Sequence, residues 1–331
     1  MRNVTHQTGE TGLALQAMDL ANKAIELAGL AAKAAGYAHA SRAHNTRRAQ
    51  ASDWRHFTAW CARLGESALP CEPATLCLYL TAHAEILSVN TLRRRTGSIS
   101  QAHQAAGLES PTTAASVKSV WRGIARSDRR PVHRATPLVV EAMRLALDQL
   151  GDDPRDIRDR ALLLAAWGGA LRRSEVCNLT SMDVELHDKG MLLTIRRSKT
   201  DQLGDGRSIA IPYGRTAPYC PVRAYVAWRA YLPARPGPLF VGINNAGEMG
   251  DTALADKHVA RLVKRVALAA ELVGEYSGHS LRAGFATAAA AAGASERSIM
   301  AQTGHRSLLI ARSYIRPAQL WDENAAAIAA L

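Results

Sequence analysis

The stretch SDRRPVHRATP, residues 127–137, constrains the fold more than any other part of the chain. It holds two prolines and four basic residues and has no apolar period of helix or strand. Proline removes a backbone donor and fixes φ, so such a stretch interrupts regular structure and reads as a linker, here one able to lie against phosphate. At 331 residues the chain is long enough for a separate core on each side of it.

Before the linker, residues 1–40 are rich in Ala, Leu and Gly, and Arg2, Lys23 and Lys33 are balanced by Glu10, Asp19 and Glu26. This neutral extension is a poor DNA arm and suits a helix docking on a neighbouring subunit or a frayed tail. Residues 41–135 then carry 14 Arg and Lys against 6 Asp and Glu, an excess of +8. Four helices are predicted there. The first buries Trp54, Phe57, Cys61 and Leu64; the second starts at Pro73 and runs through Leu76, Leu78, Leu80 and Ile86. The third follows Asn90 as N-cap, carries Arg93, Arg94 and Arg95 and stops at Gly107. The fourth spans 113–127 with Val117, Val120, Trp121 and Ile124 inside.

After the linker the pattern predicts helices at 138–150 and 157–167, then a hairpin from MLLTIRRSKT (191–200) and RSIAIP (207–212) with Lys199 near its turn. Beyond Pro221 the chain reads as mostly helical, with GPLFVGI as a further strand.

The net charge of +12, carried mostly by arginine, points to a polyanionic partner. Nucleic acid is favoured over a membrane, because no apolar run approaches the length of a spanning helix. With only three Phe and scattered Trp and Tyr, an aromatic platform for single strands is not expected. The five cysteines, at 61, 71, 77, 177 and 220, form no CxxC pair and read as small buried residues in a reducing compartment. No signal peptide is recognisable, which suggests a cytoplasmic, nucleoid-associated location.

Three short motifs carry reactive residue types: ALRRSEV with Arg172 and Glu175, GHSLRAG with His279 and Arg282, and GHRSLLIARSY with His305 and Tyr314. Taken singly, each has an ordinary structural reading as an ion pair, a helix terminus or a packed ring. Their order and spacing change that: Arg172, Lys199, His279, Arg282, His305 and Tyr314 follow one another, with 23 residues from Arg282 to His305 and 9 more to Tyr314. This set resembles the tyrosine recombinase, or phage integrase, family, over about residues 138–317 and more weakly over the helical module before them. Within the family it is most similar to two-domain recombinases of the Cre and Xer type. His305 stands where Cre itself has tryptophan, and no catalytic position departs from the family pattern.

The resemblance implies a mainly α fold with a small antiparallel β-sheet in the catalytic domain, the two domains closing as a C-shaped DNA clamp. Its parts would be an N-terminal extension (1–40), a helical core-binding domain (41–126), the linker (127–137) and a catalytic domain (138–331) ending in a docking helix (320–331). It implies that Tyr314 attacks a phosphodiester to form a 3′-phosphotyrosyl ester, with Arg172 and Arg282 clamping the phosphate. His279 and His305 would add hydrogen bonds and handle protons, Lys199 would protonate the leaving 5′ oxygen, and Glu175 would orient its neighbours. An unperturbed phenol, pKa about 10, needs a base during attack, and the histidines are the candidates. No cofactor, metal or ATP is implied. The expected partners are double-stranded DNA with inverted-repeat core sites and three further copies of the chain, a homotetramer on two sites joined through a Holliday junction. Arg47, Arg48, Asn90, Arg93 and Arg94 in the first domain, and Lys257, His258, Arg261 and Lys264 in the second, are the candidate DNA contacts. Strand transfer of the type IB topoisomerase or telomere-resolving kind, and a noncleaving DNA-binding regulator, are the alternatives.

Overall fold

The computed structural model describes residues 22–23, 25–37, 44–128, 130, 134–196 and 206–315, and the chain divides into two units, Met1–Pro131 and Val132–Leu331. The first contains α1 (His44–Arg63), α2 (Pro73–His83), α3 (Val89–Ala105) and α4 (Ala115–Ser127), preceded by an exposed helical segment at 25–37. Its core joins Phe57, Trp60 and Cys61 of α1 to Leu76, Tyr79 and Leu80 of α2, Leu92 and Ile99 of α3 and Val117 of α4. The Tyr79 ring lies at its middle, edge-on to Phe57 (5.0 Å) and Trp60 (5.3 Å). Each such fully buried side chain contributes roughly 1.5–3 kcal/mol.

Several boundaries differ from the expected ones. Leu76, Leu78 and Leu80 alternate in sequence, and on a helix that alternation turns Leu78 to the far side, where it is exposed. Helix α2 stops at His83, leaving Ile86 in solvent, and Leu64 lies past the end of α1 and is likewise exposed. The N-cap of α3 is Ser88, whose Oγ accepts from the Thr91 amide at 3.2 Å; Asn90 is in the first turn. Gly107 does lie just past the helix end, at φ +70°. Of the predicted α4 stripe only Val117 is fully buried, while Val120, Trp121 and Ile124 are half-buried along the margin of a small core.

The second unit is built round α6 (Pro154–Gly168), capped by Asp153, whose Oδ1 accepts from the amides of Arg155 and Asp156. Residues 161–166 are all buried, and α5 (Val140–Leu147), α8 (Pro221–Arg229) and α10 (Ser280–Ala291) lie against this central helix or its neighbours. The short α7 (Arg173–Cys177) follows α6. An antiparallel sheet in the order β1-β2-β3 comprises β1 (Val184–His187), β2 (Gly190–Ile195) and β3 (Arg207–Pro212), with Leu193 opposite Ile209. A second antiparallel pair joins β4 (Val241–Ile243) and β5 (Met249–Ala253). Helices α9 (Asp256–Ala269), α11 (Glu296–Thr303) and α12 (Leu308–Ile315) complete the unit.

The expected helix over 138–150 is shorter because the backbone of Leu138 is used elsewhere. Its N–H donates to Ser280 O (2.9 Å) and its carbonyl accepts from Trp167 Nε1 (2.8 Å). Gly284 of α10 permits this approach, since a Cβ there would lie 2.0 Å from Leu138 O. Thr136 N–H also donates to Glu275 O (2.8 Å), so the end of the predicted linker is stitched into the second unit. A small core of Ala286, Ala290, Ile299, Ala311 and Ile315, distinct from the main one, packs α12 against α10 and α11. All five cysteines are free, four buried and Cys77 half-buried. Among the described residues no helix is long and apolar enough to cross a membrane.

Candidate active site

The site begins where α6 ends. Past Gly168 the backbone turns sharply, and Ala170, fully buried, takes φ +48°, a left-handed conformation that side chains with a Cβ rarely adopt. Arg172 then caps α7. Its amide donates to Glu175 Oε2 at 2.8 Å and its guanidinium Nη1 to Oε1 at 2.6 Å, a capping arrangement that uses both carboxylate oxygens. The i, i+3 pairing expected from ALRRSEV is therefore formed, but in the interior: the Glu175 side chain is 1% exposed. A second guanidinium, Arg207 at the start of β3, donates Nη2 to Glu175 Oε2 at 3.1 Å. Burial alone would push the Glu175 carboxyl up; the Arg172 amide and the two guanidinium groups outweigh it and hold the group below the usual carboxylate range.

Helix α10 brings the next pair. His279 stands at its N-terminus, and Arg282, three residues on, is 2% exposed. Arg282 Nη1 donates to the carbonyl of Ala170 at 2.7 Å, the atom that the left-handed turn presents. Its Nη2 is buried and has no hydrogen-bond partner among the described residues. Burial, then the charge of Arg172, lowers the guanidinium to about 10, still charged at neutral pH.

Helices α11 and α12 supply the last two residues. Gly304 ends α11 at φ +65°, a conformation that favours glycine, and a Cβ there would sit 2.6 Å from Arg207 Nη1, so the arginine tip would have to shift. His305 follows, and Tyr314 lies in the final turn of α12. The Tyr314 hydroxyl is 2.6 Å from His279 Nε2, and its ring stacks on His305 at 5.6 Å with 11° between planes. Arg312 anchors the helix by a two-point contact to Glu296 of α11, Nε to Oε1 at 2.7 Å and Nη2 to Oε2 at 3.1 Å.

The tautomer of His305 follows from its partner. Thr303 Oγ1 lies 2.7 Å from the Ile299 carbonyl, which can only accept, so the hydroxyl proton is there. His305 Nδ1, 2.9 Å from the same hydroxyl, must then carry the proton it donates, which leaves Nε2 as an acceptor until the ring is charged. Burial and the nearby Arg282 and Arg172 charges push His305 down to about 4. Burial, then Arg282, Arg172 and Arg173, also lowers His279, although its outer edge is open to solvent.

Three guanidinium groups, one carboxylate and two neutral imidazoles therefore surround a phenol. The pocket has a surplus of positive charge and, among the described residues, two buried donors without a partner, Arg282 Nη2 and Arg207 Nε, the composition of an anion site rather than of a packed core. Lys199 lies outside the described residues. Among those residues, no group of three His, Cys, Asp or Glu side chains is placed to hold a metal ion.

The predicted DNA contacts fare unevenly. On α1, Arg48 is exposed and Arg47 half-buried; on α3, Asn90 and Arg93 are exposed, the Arg93 guanidinium lying 5.7 Å from the centroid of the Trp121 ring. Arg94 is half-exposed but paired to buried Asp53 at 3.0 Å, so it also serves the first unit's interior. On α9, Lys257, Arg261 and Lys264 form an exposed stripe. His258 points away from it, half-buried, 3.4 Å from Arg158 Nη2 and 3.9 Å from Asp159 Oδ1, and belongs to a structural cluster. Sequence reasoning missed Arg207, Ala170 and Thr303, which no motif marks; the DG before the strand signals the turn but not that the arginine after it points inward.

Residues 136–320 match the phage integrase family. An integrase/recombinase XerD homolog of Selenomonas ruminantium is 35% identical over 290 residues, covering 86% of this chain and 85% of that protein. The recombinase Cre of Escherichia phage P1 is 27% identical over 286 residues, covering 79% and 81%. Among solved structures, the Tn1549 transposon integrase in complex with transposon right end DNA has a TM-score of 0.57 at 18% identity, covering 86% of this chain and 95% of that one. The XerH site-specific recombinase bound to its palindromic difH substrate has a TM-score of 0.56 at 19% identity, covering 78% and 72%. At these identities the structural likeness concerns the fold.

Proposed function

The chain belongs to the phage integrase family, the tyrosine recombinases that cleave and rejoin DNA in site-specific recombination, and on that premise we propose how its own residues carry the reaction. Tyr314 Oη attacks the scissile phosphorus, the bond to the 5′ oxygen breaks, and the 3′ end stays attached as a phosphotyrosyl ester. His279 Nε2 takes the phenolic proton and Lys199 gives one to the departing 5′ oxygen. A 5′ hydroxyl from the partner duplex then attacks the ester and releases the phenol, so the bond energy is conserved without ATP. The observation that carries this reading is the 2.6 Å separation of Tyr314 Oη and His279 Nε2 beside an arginine-rich pocket.

Arg172 and Arg282 clamp the nonbridging oxygens. A phosphodiester brings one negative charge and its pentacoordinate transition state two, so a pocket holding Arg172, Arg207 and Arg282 against Glu175 alone favours the transition state over the ground state. Arg282 Nη2, buried and unpaired among the described residues, is the donor a phosphate oxygen would satisfy. His305, with Nε2 unprotonated, becomes a donor to the phosphate by taking a proton from solvent as negative charge builds.

Two such exchanges, through a Holliday junction, join two DNA sites held by four copies of the chain. An inverted-repeat core site is proposed because two copies related by a two-fold axis bind a symmetric sequence; the substrate of the XerH relative is palindromic. Residues 320–331, outside the described residues, would dock on the next copy. Arg48, Asn90, Arg93, Lys257, Arg261 and Lys264 are the proposed DNA contacts, and the protein would act at the nucleoid. Relatives named as recombinases over most of both chains favour this outcome over strand relaxation or noncleaving regulation.

Covalent trapping tests the reading. The protein is incubated with nicked duplexes drawn from the DNA flanking its gene, and an SDS-resistant protein–DNA band is sought beside Tyr314→Phe. A band for the wild type alone is the expected result. Sequence-specific retention of DNA by both proteins without any band would overturn cleavage by Tyr314.

A further inference from the structure

The reaction leaves Arg207 in the pocket without a role of its own. Its side chain is 19% exposed; Nη2 donates to Glu175 Oε2 at 3.1 Å and Nη1 to the Gln302 carbonyl at 2.8 Å, while the buried Nε has no hydrogen-bond partner among the described residues. Gln302 is itself tied to the end of α6, its Nε2 donating to Gly168 O at 2.8 Å. Arg207 thus spans from the carboxylate that holds Arg172 to the last turn of α11, three residues before His305. The turn passes close to this side chain, since a Cβ on Gly304 would lie 2.6 Å from Arg207 Nη1.

We propose that Arg207 is a positioning residue that keeps Arg172 and His305 in one register, acting through Glu175 and the Gln302 carbonyl rather than by touching DNA. This rests on the roles of Arg172 and His305 given above. Without Arg207, Glu175 would have Arg172 as its sole cationic partner among the described residues and would draw that guanidinium towards itself, away from a phosphate. The turn carrying His305 would keep only the longer contact from Gln302 Nε2 to Ala210 O, 3.3 Å, as a hydrogen bond to β3 among the described residues. A planar fork can hold a carboxylate and a carbonyl at once; a lysine ammonium on a flexible stem keeps the charge but fixes neither direction as firmly.

Single-turnover formation of the covalent complex tests this, with full-length protein in excess over a nicked duplex that the wild type has selected from the flanking DNA. Arg207→Gln is expected to slow cross-linking about 100-fold, the effect of a small misplacement of reacting groups, while retention of the duplex on a filter stays within about twofold. Arg207→Lys should be intermediate, about tenfold slower. The double variant Glu175→Gln/Arg207→Gln should be no slower than the slower single variant, because the two residues act as one unit. A folded Arg207→Gln protein that cross-links at the wild-type rate, or losses that multiply in the double variant, would overturn the inference. Should Arg207→Gln fail to fold by thermal melting, Arg207→Lys decides on the same criterion. Absence of any wild-type cross-link would instead overturn the assignment of Tyr314, and this inference with it.

Discussion

Two arginine–carboxylate networks lie inside the second unit, and they differ in balance. In the first, Arg158 sends Nε and Nη2 to Asp159 Oδ1 (2.9 and 2.7 Å) and Nη1 to the Val241 carbonyl (3.0 Å). Arg265 reaches Asp159 (2.7 Å) and Asp156 (3.4 Å), so two guanidinium groups face two carboxylates and the network ties α6, β4 and α9 together. In the second, Arg172, Arg207 and Arg282 face Glu175 alone, and Arg282 Nη2 has no partner among the described residues. Burying an ion costs several kcal/mol unless it is paired, so the balanced network can be a staple, whereas the unbalanced one is retained for what binds it. The difference teaches that buried charge by itself is no sign of function; a local surplus of one sign is.

The contrast can be broken most directly by removing one arginine from each network. Arg282→Ala should slow single-turnover cross-linking about 1000-fold, the scale for losing a preorganised donor to developing charge. Arg158→Ala should leave the rate per folded molecule within a few-fold and instead lower the urea unfolding free energy by about 3 kcal/mol, because buried Asp159 loses its buried ion partner and keeps only the more exposed Arg265. Equal losses of rate in the two variants would erase the distinction.

A third test uses pH. His305 is held at about 4 in the folded chain against an ordinary 6.5, so between those values the unfolded state binds the extra proton. Stability contributed by the neutral ring is complete above 6.5 and is lost as pH falls towards 4. For a half-buried ring that solvent partly screens, this amounts to about 1 kcal/mol. His305→Gln should flatten the fall of the melting temperature across that window; an unchanged slope would mean that the surplus charge does not reach the ring. The smallest expected effect is at Ala170. Its left-handed backbone costs about 1 kcal/mol in a residue with a Cβ, partly offset in glycine by greater freedom of the unfolded chain. Ala170→Gly should therefore raise stability by a few tenths of a kcal/mol in a chemical denaturation series. A loss would show that the Ala170 methyl contributes more through packing than it costs in strain.

Much of this was legible in the sequence because local rules suffice where one element decides. Glu175 three residues after Arg172, and Arg282 three after His279, are helix-face relations, and both pairs meet in the pocket. The hairpin strands at 191–195 and 207–212 showed as aliphatic runs. What was not legible depends on partners far along the chain. Arg94 is drawn to Asp53, 41 residues away in sequence, and His258 to Asp159, 99 away, and no periodicity encodes either. Arg207 looks like any polar residue at a strand end until α7 and α11 are set beside it. β1 alternates apolar and polar residues over only four positions, Val184–His187, and β5 does not alternate; both are mostly solvent-facing, so their pairing to β2 and β4 defines them.

The small separate core beneath α12 has a consequence of its own. Ala311 and Ile315 rest on Ala286, Ala290 and Ile299, side chains that are mostly single methyl groups, so at about 0.8 kcal/mol per buried carbon the grip amounts to only a few kcal/mol. The Arg312–Glu296 pair that supplements it is about 40% exposed on both sides and contributes under about 1 kcal/mol. Opening of α12 is thus far less costly than opening of α6, and in hydrogen exchange the amides of residues 311–315 should lose protection well before those of 161–166. The tyrosine therefore rides on a less costly foldon than α6 and can leave the pocket while the guanidinium groups proposed to hold the phosphate stay assembled.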